Sequence, residues 1–136
     1  ALRMDRICTN TIKVAEYLKQ HAKVEWVNYA GLPDHADHAL VQKYMGGRAS
    51  GILSFGVKGG FEAGGRFQDA LKLITRLVNI GDAKSLACHP ASTTHRQLSP
   101  AELAKAGVSP DMVRLSIGIE HIDDIIEDLE QALAAV

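Results

Sequence analysis

Residues 111–133 read DMVRLSIGIEHIDDIIEDLEQAL, and the apolar spacing changes partway through. Val113 and Leu115 flank Arg114 at every second position, the period of a strand. Ile122, Ile125, Ile126, Leu129 and Leu133 then follow the 3.6-residue period of a helix with one apolar face. Asp123 and Asp124 suit the positive end of that helix. A half-apolar strand feeding an amphipathic helix has to bury both faces against something, so a layered fold of helices on a sheet is expected.

The rest of the chain repeats this alternation. Ile12, Ala15 and Leu18 predict a helix over about 10–21, with Thr9 or Asn10 as N-cap. KVEWVNYAG reads as a strand, GLPDHAD as a turn and DHALVQKYM as a short helix stopped by Gly46-Gly47. GILSFGVKGG is a second strand. Phe67, Ala70, Leu71, Ile74, Leu77 and Val78 predict a helix ending near Asn79 to Gly81. KSLACH is a short third strand. SPAELAKAG carries an N-cap serine, a proline at the first helical position and a capping-box Glu102. DMVRLSIG is the fourth strand. The expectation is an α+β fold, a two-layer α/β sandwich with a sheet of about four strands and about five helices. Alternation alone points to parallel pairing.

At 136 residues the chain has the size of one domain. No apolar stretch approaches the roughly 20 residues of a membrane span, and the start does not resemble a signal peptide. A net charge of −1 without a basic stripe argues against nucleic acid as partner. Cys8 and Cys88 are too few for a disulfide scaffold and suit a reducing cytoplasm.

Chemistry-bearing residues cluster in SLACHPASTTHRQ, residues 85–97. Cys88, His89 and His95 are zinc-ligand types, but adjacent Cys88 and His89 would face opposite sides of a strand, so no metal site is expected. His35 and His38 read as solvated turn residues. Cys88–His95 or Ser92–His95 could pair nucleophile with base, but no third residue orients the base. GVKGGFEAGGRF matches no phosphate-binding glycine pattern. Arg114 stands out, because an arginine among apolar strand residues needs an anionic partner if buried. Either it faces an edge with its stem on the sheet, or it is a fork for a carboxylate.

NIGDAKSLACHPASTTHRQLSPAELAKAGVSPDMVRLSIGIEHIDDIIEDLEQAL resembles the C-terminal region of the cystathionine/methionine-metabolism group of pyridoxal-phosphate enzymes. VEWVNYAGLPDH and GGRASGILSFGVKGGFEAGGRF resemble the part before it. Within the group, NIGDAKSL makes the chain look most like the O-acetylhomoserine sulfhydrylases, since γ-synthases and lyases commonly have serine where Asn79 stands. The resemblance implies that Arg114 and Asn79 bind the substrate α-carboxylate, with Ser85, His89 and Thr94 supporting them. It further implies the small C-terminal domain of a fold-type I enzyme, spanning residues 1–136.

Such enzymes hold pyridoxal 5′-phosphate on a lysine of a larger preceding domain, and none of the eight lysines here stands in that context. A chain that opens mid-pattern without Met then reads as a fragment, expected to be inactive alone. The full enzyme is expected to be a cytoplasmic homotetramer that replaces acetate of an amino-acid substrate with sulfide or a thiol, giving homocysteine or methionine. A sibling cystathionine γ-synthase or methionine γ-lyase, or a free-standing amino-acid-binding module, are the alternatives.

Overall fold

The computed structural model describes residues 1–136. Helix α1 covers Leu2–Gln20, strand β1 Val24–Asn28, helix α2 His38–Met45, strand β2 Ile52–Val57 and helix α3 Gly60–Ala70. Strands β3 (Thr75–Arg76) and β4 (Leu86–Cys88), helix α4 (Pro100–Lys105), strand β5 (Met112–Ser116) and helix α5 (Ile122–Ala134) complete it.

The α+β layering is as expected, but the sheet has five strands, ordered β1-β2-β5-β4-β3. Pairing is antiparallel except between β3 and β4, so parallel pairing from alternation is corrected. Helix α5 packs on both α1 and α3, and these two lie on the strands, α1 on β1 and β2 and α3 on β2 and β5.

Two helices differ from expectation. Helix α1 starts at Leu2, because Ile7, Cys8, Thr11, Val14 and Leu18 form one buried stripe. Thr9 and Asn10 do not cap it. The Thr9 hydroxyl donates to the Asp5 carbonyl within the helix. The Asn10 amide crosses to the carbonyls of Gly118 and Glu120. The helix expected through Val78 spans Gly60–Ala70 instead. Its C-terminal continuation is intercepted by Asp128 of α5, whose carboxylate accepts from the backbone N–H groups of Lys72, Leu73 and Ile74. Residues 75–76 then pair with β4.

Strand alternation divides the sheet. Leu53, Phe55, Val113, Leu115 and Ala87 are buried in the core shared with α1, α3 and α5. Ile125, Leu129 and Leu133 of α5 are fully enclosed there, each burial contributing about 1.5–3 kcal/mol. Residues of opposite parity, Ser54, Met112 and Arg114 among them, are turned to the other face.

Candidate functional site

That other face carries a hollow of about 690 Å³. Arg114 lines it from β5, the central strand, so it is not an edge arginine. None of the chain's five ion pairs engages Arg114. Ladder register sets it in a row: Asn28 of β1 opposes Ser54 of β2, Ser54 opposes Arg114, and Arg114 opposes Cys88 of β4. All four line the hollow.

Burial raises the Cys88 thiol above its ordinary range, against the pull of Arg114. The sulfur opposite Arg114 therefore stays a neutral thiol at neutral pH and gives the guanidinium no counter-charge.

The loop after β4 closes one side. Pro90, Thr94 and His95 line the hollow, and the Thr94 hydroxyl pairs with His95 Nδ1 at 2.8 Å. Ser92 pairs with His89 Nδ1 at 2.8 Å, so the Ser92–His95 pair considered from sequence is not formed. His89 is fully buried, and its Nε2 donates to the Pro110 carbonyl at 2.8 Å. It thereby ties the loop to the turn before β5. A Cβ on Gly64 would come within 2.6 Å of His89 Nε2, so α3 approaches this pin only through a glycine.

Ser85 lies outside the hollow. Its backbone N–H and hydroxyl donate to the Glu120 carboxylate, at 2.5 and 2.9 Å, and its oxygen accepts from the Gly118 N–H. Asn79 sits one residue beyond Val78, which does line the hollow. Its Oδ1 accepts from the Ile80 N–H at 2.8 Å. The structure thus brings Arg114 and Thr94 together, sets Asn79 on an exposed turn at the rim, and makes Ser85 and His89 framework groups. His35 and His38 are also separated in role: His35 bonds to Asn28, and His38 to Gln42.

Sequence reasoning missed Asn28 and Ser54. Their place beside Arg114 depends on strand order and register, which a single sequence does not encode locally.

Arg114 is thus an arginine without an ion pair on a mixed sheet, in a hollow that a polar loop borders and no lysine lines. The chain belongs to the Cys/Met metabolism PLP-dependent enzyme family, whose model matches residues 1–134. It is 54% identical over 134 residues to O-acetyl-L-homoserine sulfhydrylase 1 of Thermus thermophilus, covering 98% of this chain and 32% of that protein. It is 52% identical to O-acetyl-L-homoserine sulfhydrylase of Corynebacterium glutamicum over 136 residues, covering all of this chain and 31% of the other. A crystal structure of an enzyme assigned as an O-acetylhomoserine (thiol)-lyase from Campylobacter jejuni superposes with a TM-score of 0.91 at 46% identity. The match covers 98% of this chain and 32% of that one, which carries N′-pyridoxyl-lysine-5′-monophosphate. The chain spans about a third of the length of the relatives it matches.

Proposed function

We propose that residues 1–136 form the small C-terminal domain of a pyridoxal-phosphate-dependent O-acetylhomoserine sulfhydrylase and supply its substrate-carboxylate site. The reaction replaces the acetate of O-acetylhomoserine with sulfide or a thiol, giving homocysteine or methionine. The observation that carries this reading is Arg114: a central-strand guanidinium in a hollow, with no acidic partner in the chain.

The residues here suit the substrate rather than the cofactor's attachment. No lysine lines the hollow. Lys19 pairs with Asp34, and Lys23 donates to the carbonyls of Leu133 and Val136. The attachment lysine would come from the larger part of the enzyme. When bound, pyridoxal phosphate supplies an electron sink for carbanions next to the substrate's amine-bearing carbon.

The guanidinium fork takes the α-carboxylate bidentately, which fixes the orientation of the substrate carbon chain as well as its position. The Thr94–His95 pair walls the fork on the β4 side. Asn79 joins the grip when its amide turns from its own turn toward the carboxylate. Ser85 and His89 hold the two loops in place. The assembled enzyme is read as a cytoplasmic homotetramer whose larger domain covers the hollow. The chain alone is expected to be inactive, for want of the attachment lysine.

The test is Arg114→Ala in the full-length enzyme. kcat/KM for O-acetylhomoserine should fall by about 2–5 kcal/mol equivalent, carried mainly by KM. An unchanged KM removes Arg114 from the site.

A further inference from the structure

The hollow extends well past Arg114, and two groups along it have unused donors. Asn28 and Ser54 continue the arginine's row across two strands. At the usual strand spacing their backbones stand about 5 Å (Ser54) and about 10 Å (Asn28) from that of Arg114. The Asn28 amide is oriented by a chain of bonds with only one consistent proton arrangement. The Asp37 backbone N–H donates to His35 Nδ1 at 3.0 Å, so Nδ1 holds the lone pair. Nε2 therefore carries the proton and donates to Asn28 Oδ1 at 2.8 Å. With Oδ1 occupied, Asn28 has its NH₂ group left to offer. The Ser54 hydroxyl likewise makes no side-chain hydrogen bond within the chain and faces the same hollow. Asp37 lines the far end.

We propose that Ser54 and Asn28 form a specificity subsite for the distal end of the substrate: an amino acid whose side chain carries an uncharged acyl oxygen. This rests on Arg114 holding the α-carboxylate. Neutral hydroxyl and amide donors match a neutral ester carbonyl. They give a second carboxylate or a phosphate no counter-charge, and the Asp37 carboxylate repels one. The row thus reads the substrate at both ends, charge at Arg114 and neutral oxygen beyond it.

Full-length holoenzyme variants test this with three probes: O-acetylhomoserine, O-succinylhomoserine, and norvaline as a competitive inhibitor lacking the acyl group. Ser54→Ala and Asn28→Ala should each lower kcat/KM for O-acetylhomoserine about 5- to 20-fold. Norvaline inhibition should stay within twofold, and Ser54→Thr, which keeps the hydroxyl, should retain the parent value. Asp37→Asn should raise use of O-succinylhomoserine relative to O-acetylhomoserine about tenfold. The proposal is overturned if kcat/KM for O-acetylhomoserine is unchanged in Ser54→Ala and Asn28→Ala and the acetyl preference is unchanged in Asp37→Asn, or if norvaline inhibition weakens in parallel with turnover. Arg114→Ala separates the underlying reading: it should abolish norvaline inhibition, and inhibition that persists sinks the carboxylate assignment instead.

Discussion

Asp128 is 5% exposed, yet its carboxylate accepts three backbone N–H groups and the Gln131 amide. Removing it leaves those donors without their partner, each costing about 1–3 kcal/mol where water cannot reach. Asp128→Ala should therefore lower unfolding stability by about 3 kcal/mol or more, measured by urea denaturation. Asp128→Asn, which keeps one acceptor oxygen, should lose less. A loss below about 1 kcal/mol for the alanine variant would mean that water or a shifted loop replaces the carboxylate. The same residue explains a sequence-level error. Ile74, Leu77 and Val78 fit the helix period from Phe67 onward, but a side chain 54 residues away from Ile74 takes the amides that the helix would have used. Arg114, by contrast, was legible because its oddity is local: a charge between two apolar strand residues. Ser54 is an unremarkable serine until β2 is laid beside β5.

Helix α4 shows what an element owes to its own sequence. It has six residues, none buried, so packing contributes little to it. What holds it is the capping box, with Ser99 accepting from the Glu102 N–H and Glu102 accepting from the Ser99 N–H. The Ser99 hydroxyl, and after it the Ser99 backbone N–H, donate to the Glu102 carboxylate and hold its carboxyl below the ordinary value. Ser99→Ala should melt α4 alone. Exchange of the Leu103 and Ala106 amides should rise about fivefold or more, the equivalent of about 1 kcal/mol, while β5 amides keep their protection. Equal loss of protection in β5 would show that α4 is coupled to the sheet. Local signals of this kind made α4 and α5 readable directly. Strand β3 was not readable, because two exposed residues carry no periodicity and exist as a strand only beside β4. The glycines and alternation marked β1, β2, β4 and β5, but the strand order rests on pairings between residues far apart in the sequence, such as Ser54 with Arg114.

Across the whole molecule, four buried or partly buried groups that lose protons at high pH share one direction. Burial raises Cys8, Cys88, Tyr17 and Tyr29, the last to about 12. Each keeps its proton longer folded than unfolded. Above the thiols' ordinary value of 9.0 the unfolded chain releases protons that the folded chain retains, so stability falls as pH rises. This contribution is intact below about pH 9 and is lost progressively through about pH 12. Urea midpoints followed by Trp26 fluorescence in reducing buffer should decrease from pH 8 to pH 11. A level or rising midpoint would contradict the burial of Cys8, Cys88 and Tyr29 and the partial burial of Tyr17 beside Glu130.

The place of β5 has a further consequence during synthesis. The strand at the middle of the sheet is the last one made, and it joins β2 to β4. Until residue 116 has emerged from the ribosome, one edge of β2 and one edge of β4 lack their partner, and Leu53 and Phe55 lack the strand beside them. A nascent chain paused before this point exposes two open sheet edges, the surface that recruits chaperones or neighbouring nascent chains. Arg114 thus arrives on the segment that closes the fold.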